Sequence, residues 1–152
     1  MSSKPIAIRE ATSADLSSIL TLCAQLDLKG DEHLSLKRAQ ELFARIQSYP
    51  DYHIYVAVND GTIVGTFALL IMDNLAHKGT PSGIVEDVVV HRDWQGRGLG
   101  KQMMEYAMLK CREAGCYKLV LSSNVSRERA HKFYESLGFK RHGYSFTVDL
   151  DA

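Results

Sequence analysis

Val88-Val89-Val90-His91-Arg92-Asp93-Trp94-Gln95-Gly96-Arg97-Gly98-Leu99-Gly100-Lys101 joins an apolar run to a glycine-rich turn and then to a helical pattern. The valines continue a run that begins at Ile84, and nearly unbroken β-branched content of this kind marks a strand buried on both faces, hence a central one. Beyond the turn the chain reads as a helix from about Gly98 to Ala114, a second apolar strand from Lys118 to Leu121, and a helix from about Arg127 to Leu137. Strand, helix and strand in that order make a parallel crossover.

Upstream the pattern is different. After a short strand, Pro5 to Arg9, Thr12 offers an N-cap with Asp15 in the first turn of a helix whose apolar face is Leu16, Ile19, Leu20, Cys23 and Leu26. A polar break from Asp27 to His33 leads to a second helix, about Ser35 to Tyr49, with Leu36, Ala39, Phe43 and Ile46 on one face and Pro50 closing it. The period then falls to two. Ile54, Val56 and Val58 alternate with Tyr55 and Ala57, and Asn59-Asp60-Gly61 turns the chain into Thr62 to Met72, an antiparallel hairpin. A turn-rich loop, Asp73 to Gly83, precedes the valine strand, and Tyr144 to Leu150 alternates once more, predicting an added strand at the end of the sheet. No repeat or linker interrupts this order, so residues 1–152 read as one α/β (α+β) domain.

Gln95 to Lys101 sits where a buried strand hands over to a helix, the place where unpaired backbone N–H groups and the positive end of a helix dipole converge. Glycine at 96, 98 and 100 clears side chains from in front of those donors, and Arg97 and Lys101 add charge at the rim. A pyrophosphate would fit. The spacing matches neither GxGxxG after an N-terminal strand nor GxxxxGK[ST], because Lys101 is followed by Gln102. Taken alone, the same pattern also describes a glycine-rich helix entry that binds nothing.

Composition narrows the classes of function. Lys plus Arg and Asp plus Glu number 18 each, so no global field draws the chain to nucleic acid or an anionic membrane, and any anion site must be local. Met1 to Pro5 run straight into Ile6 and Ile8 with no apolar stretch of signal-peptide length, and the longest apolar run, Phe67 to Met72, is far below the ~20 residues of a membrane span. A soluble, cytoplasmic protein is expected. Cys23, Cys111 and Cys116 form no CxxC pair and suit core packing in a reducing compartment, and the six histidines form no compact ligand cluster, so no metal is expected.

In the company of its neighbours the turn becomes specific. Gln95, Gly98 and Gly100 fill the signature Q/R-x-x-G-x-G/A, Val88 to Val90 precede it, and Ala130 to Phe139 follow with the pattern FYE-x-x-GF. In these residues the sequence resembles the GNAT family of N-acetyltransferases. The resemblance implies a mixed, mostly antiparallel sheet with a central, splayed pair of parallel strands flanked by helices, and acetyl-CoA as co-substrate. It implies that Gln95, Gly96, Arg97, Gly98, Leu99, Gly100 and Lys101 hold the pyrophosphate. Val88, Val89 and Val90 would then pair with the pantetheine arm and supply an oxyanion donor, and Asn124 would position that arm.

By the same resemblance Tyr134 protonates the departing thiolate. A phenol near pKa 10 donating to a thiolate near about 8.5 is only mildly uphill. An amine acceptor with a lysine-like pKa of about 10.4 must lose a proton before it attacks. Glu86 is the candidate base, since Glu86 to Val90 is similar to the corresponding segment of glucosamine-phosphate N-acetyltransferases, while strand alternation turns Asp87 to the other face. The stretch from Asn124 to Leu150 is similar to aminoalkylphosphonate acetyltransferases. The expected acceptor is a small-molecule primary amine, attacked directly in a ternary complex. The loops Asp27 to His33 and Asp73 to Gly83 would select it, and the strand Tyr144 to Leu150 would form a homodimer contact. A protein N-acetyltransferase and a non-catalytic acyl-CoA-binding module are the alternatives.

Overall fold

The computed structural model describes residues 4–26 and 34–150, so the expected acceptor loop Asp27 to His33 lies outside the described residues. The chain forms two compact units, Met1–Val120 and Leu121–Ala152.

The first unit is a five-stranded sheet with helices on both faces. Its elements are β1 (Ala7–Glu10), α1 (Leu16–Cys23), α2 (Leu36–Gln47), β2 (Tyr52–Asn59), β3 (Thr62–Met72), β4 (Ser82–Val90), α3 (Leu99–Glu113) and β5 (Leu119–Val120). The strands lie in the order β1-β2-β3-β4-β5, antiparallel except for the final pair, β4 with β5. That parallel pair is the one the crossover through α3 requires. Asp60 (φ 48°) and Gly61 (φ 80°) make the β2–β3 turn with the two left-handed residues that match the twist of a hairpin.

Local chemistry fixes where α1 begins. Asp15 accepts from Thr12 N at 2.7 Å and from Thr12 Oγ1 at 3.2 Å, and Arg9 reaches over from β1 to grip both carboxylate oxygens at 2.7 and 3.0 Å. The segment Ser13–Asp15 is accordingly a tight 3-10 turn, and α-helical geometry starts only at Leu16. Leu16 and Ile19 then pack with Ala11, Phe43 of α2 and Val56 of β2 on one face of the sheet. Ser35 caps α2 by accepting from Arg38 N.

The opposite face belongs to α3, whose Leu99, Met103, Met104, Ala107 and Cys111 are all buried. Two glycines let this helix settle against the strands. A Cβ at Gly65 in β3 would lie 2.7 Å from Met103 Sδ, and one at Gly83 in β4 would collide with Cys111 Sγ. Tyr55 extends the same layer, stacked on Phe67 at 5.2 Å and edge-on to Tyr106 of α3 at 5.3 Å.

β4 departs from its sequence reading in two ways. It is fourth of five strands rather than central, and β5 pairs with it only at Gly83↔Leu119 and Ile84↔Val120. From Val85 onward its ladder has no strand partner on that side among the described residues. Alternation also fails in the middle: the register with β3 shifts between Thr66 and Ala68, and Asp87 takes a left-handed φ of 54°. Glu86 and Asp87 are both exposed as a result, whereas regular pleating would have sent them to opposite faces.

The second unit contains α4 (Glu128–Ser136). Asn124 opens it, its Oδ1 accepting from Ser126 N at 2.9 Å and from Ser126 Oγ at 2.7 Å. Gly138 (φ 97°) ends it, with the N–H groups of Leu137 and Phe139 both directed to Tyr134 O at 3.0 and 3.1 Å. The strand expected from Tyr144 to Leu150 does not form: the segment has no regular structure, and Tyr144, Phe146, Val148 and Leu150 are 78–92% exposed. Alternation makes a segment capable of pairing, but a strand exists only when a neighbour satisfies its backbone, and none of the described residues does so here.

Candidate active site

The end of β4 and the turn after it form the best-defined polar constellation of the first unit. His91 N–H bonds Val64 O of β3 at 2.8 Å. Because successive residues of an antiparallel strand point their amides in opposite directions, Val88 and Val90 direct theirs away from β3, toward the side where β5 has already ended. That is an unfilled ladder position suited to an extended chain with amide groups of its own.

The chain then makes a short 3-10 turn, Arg92–Trp94, capped by His91 Nδ1 accepting from Asp93 N at 3.1 Å. Gly96 (φ 75°) and Gly98 (φ 80°) follow, and Gly98 is the N-cap of α3. A Cβ at either glycine would meet no atom within 4 Å. Their glycine identity therefore reflects the left-handed backbone and not packing, and the space before that backbone is open. The first-turn N–H groups of a helix have no intrahelical partner, and the 15-residue α3 aims them into this space.

Leu99, 1% exposed, anchors the turn to the core. Arg97 is held at the rim, its guanidinium 4.2 Å from the Trp94 ring centroid and 3.5 Å from Asp93 O. Lys101 is exposed, with Glu105 at 4.0 Å. Gln95 is exposed, and its Nε2 donates to Val90 O at 3.3 Å. Open space, free amides and flanking cations fit a bulky anion such as a pyrophosphate.

Glu86 and Asp87 stand exposed on the bulge of β4. Burial pushes up the Tyr52 phenol, and the charges of Asp87 and Glu86 add to the shift. Burial likewise raises the Cys23 thiol, again with a contribution from Asp87. Tyr52 thus lies within electrostatic reach of both carboxylates, a neighbour that its place at the start of β2 did not announce. Cys23, Cys111 and Cys116 are all free thiols, and burial is the main cause that raises each of them. A raised pKa disfavours thiolate at neutral pH. Among the described residues no group of three His, Cys, Asp or Glu side chains could hold a metal ion, and no helix is long and apolar enough to cross a membrane.

Tyr134 and Asn124 belong to the second unit. Tyr134 is half-buried, its ring 5.1 Å from Phe133 and 5.7 Å, edge-on, from Phe139. Burial raises its phenol above the usual value, partly opposed by Arg127. The group is therefore the protonated, donating form at neutral pH. The side-chain oxygen of Asn124 is engaged in the turn that opens α4, and its carbonyl oxygen lies 2.8 Å from His131 Nε2.

One polar residue at this site escaped the sequence reading. Gln25, just beyond α1, donates from Nε2 to Val90 O at 3.0 Å and accepts from Arg92 N at 3.3 Å.

Comparison with known proteins agrees with this geometry. The profile of the Acetyltransferase (GNAT) family matches residues 15–139. An aminoalkylphosphonate N-acetyltransferase from Salmonella typhimurium (strain LT2) is 31% identical over 143 residues, 94% of this chain and 90% of the relative. A glucosamine 6-phosphate N-acetyltransferase from Arabidopsis thaliana is 33% identical over 112 residues, 72% of this chain and 73% of its own. The crystal structure of glucosamine-6-phosphate N-acetyltransferase from Arabidopsis thaliana superposes with a TM-score of 0.84 at 28% identity, covering 97% of this chain and 100% of that one. A glycine turn that leads from a half-paired strand into a helix, within a family match over most of the sequence, places the chain in the GNAT family as an acetyl-CoA-dependent N-acetyltransferase.

Proposed function

We propose that the protein acetylates the primary amine of a small molecule that also carries a phosphate or phosphonate group. The open, amide-lined turn from Gly96 to Lys101 after β4 is the observation that carries the cofactor half of this reading. The acceptor half rests on what the two relatives act on by name, an aminoalkylphosphonate and glucosamine 6-phosphate, which share an amine and a phosphorus oxyanion. The family match runs from residue 15 to 139 and so takes in both the glycine turn and Tyr134.

Acetyl-CoA supplies a thioester carbonyl activated toward amines. Gly96, Gly98, Leu99, Gly100 and Lys101 bind its pyrophosphate through backbone N–H groups, with Arg97 adding charge at the rim, while the Gln95 side chain braces the strand end. Backbone groups of Val88 and Val90 orient the pantetheine arm, and an N–H there stabilises the negative charge that builds on the carbonyl oxygen as the amine attacks. Glu86 accepts the proton that the ammonium must lose, directly or through water, and the phenol of Tyr134 donates to the departing thiolate. Asn124 supports the cofactor arm from the turn before α4. The exposed alternating segment Tyr144 to Leu150 is the surface through which two copies pair as a homodimer, supported by its lack of any partner among the described residues.

An acetyl-CoA-dependent thiol-release screen over aminoalkylphosphonates, amino-sugar phosphates, unphosphorylated amino sugars, polyamines and peptides tests the acceptor. Turnover of the phospho-amines well above their dephosphorylated counterparts is expected. Equal turnover of both, or preference for peptides, would reject this acceptor class.

A further inference from the structure

We infer that Gln25 is a positioning residue for acetyl-CoA, acting as a one-residue substitute for a strand beside β4. The inference rests on the proposed cofactor role of β4 and the glycine turn. In a β-ladder a residue on the neighbouring strand donates to one carbonyl and accepts from the N–H two residues further along. The Gln25 side-chain amide does the same, donating to Val90 O at 3.0 Å and accepting from Arg92 N at 3.3 Å, on the edge of β4 turned away from β3.

The position of this clamp matters more than its strength. β5 leaves the ladder after Ile84, so the open edge of β4 begins near Val85 and is closed at Val90 by Gln25. Gln95 donates to the same carbonyl at 3.3 Å, so the first residue of the glycine turn and the end of α1 meet on one oxygen atom. These bonds fix the length of open edge and the point at which the turn departs from it. A ligand that runs along the edge and places its pyrophosphate in the turn needs that distance set in advance, which lowers the ordering cost of binding. Gln25 touches neither reacting group. Its effect belongs to cofactor affinity.

The test is calorimetric titration with CoA, which needs no acceptor. Gln25→Met keeps the length and apolar stem of the side chain and removes both hydrogen bonds. CoA affinity should fall about five- to fiftyfold, the range for two net hydrogen bonds, while the Tm of the CoA-free protein falls by no more than a few degrees. Gln25→Glu supplies a second readout. As a carboxylate it accepts from Arg92 N–H but opposes Val90 O, whereas the protonated acid can donate, so its affinity relative to the parent should recover as pH falls from about 7 toward about 4, through the range in which a glutamate carboxyl takes up its proton.

The double change Gly98→Asp with Gly100→Asp separates the two readings. If it abolishes CoA binding while Gln25→Met binds like the parent, the role of Gln25 is overturned and the cofactor site stands. If the double variant binds like the parent, the cofactor reading falls and the inference with it. A Gln25→Met loss matched by a large fall in Tm, together with a pH-independent Gln25→Glu, would make Gln25 a structural brace and overturn the inference.

Discussion

Asp15→Asn should lower stability at neutral pH by about 1–2 kcal/mol, and the deficit should vanish in acid. Asp15 is 7% exposed and holds four hydrogen bonds, two from Arg9 and two from Thr12. Arg9 lowers its carboxyl most, against the opposing effect of burial, and the Thr12 bonds and the Arg9 charge bring it to about 2 from the ordinary 3.8. At 1.36 kcal/mol per pH unit this difference corresponds to about 2.4 kcal/mol. The half-exposed Arg9 guanidinium is screened by solvent, which brings the figure to the stated range. Because the folded pKa is depressed, the stabilisation is complete above 3.8 and is lost as pH falls through about 2. Urea denaturation of parent and variant at constant ionic strength, from pH 7 down to the lowest pH at which both still fold, measures the gap. A gap that stays constant with pH would show that the asparagine acts through shape or capping, and would refute the electrostatic account.

Tyr134→Phe should leave CoA affinity nearly unchanged and reduce turnover about ten- to a thousandfold, as measured by thiol release with an acceptor from the screen; unchanged turnover would remove Tyr134 as the acid. Its raised phenol pKa places the alkaline fall in parent activity above the usual phenol range, and a fall well below it would assign that limb to another group. Glu86→Gln should lose most activity at the acid end of the range, where the amine is most fully protonated, and a flat variant-to-parent ratio across pH would leave Glu86 without a basic role. Gly83→Ala should destabilise by about 1–3 kcal/mol because its Cβ collides with Cys111 Sγ. Cys111→Ala should recover much of that loss in the double variant, and strict additivity of the two changes would refute the collision.

What could be read from sequence was local. Gln95 to Lys101 spells out its backbone because glycine at positive φ and a helix start are properties of a few adjacent residues. The hairpin at Asp60-Gly61 is legible for the same reason. The bulge in β4 was not, because Asp87 adopts a left-handed φ inside an apolar strand pattern, where no glycine or turn sequence marks it. Strand alternation consequently did not foresee that Glu86 and Asp87 would both be exposed. Tyr144 to Leu150 carries a correct period of two, but the period says nothing about whether a neighbouring strand exists. Gln25 reads as one polar residue at a helix end, and its partners lie 65 and 67 residues away. The seating of α3 on Gly65 and Gly83 depends equally on contacts that no local pattern encodes.

The chain contains a single tryptophan, and it lies under Arg97 at the rim of the glycine turn, 4.2 Å from the guanidinium. Indole emission excited at wavelengths that spare tyrosine therefore comes from Trp94 alone, beside a cation whose position a bound polyanion would alter. The protein carries its own optical reporter of that turn, free of any label and separate from the seven tyrosines spread through the rest of the chain. With the nucleotide bound at that turn as proposed, stopped-flow emission would follow its arrival and departure on the untagged enzyme, with the kinetics assigned to one residue without further mutagenesis.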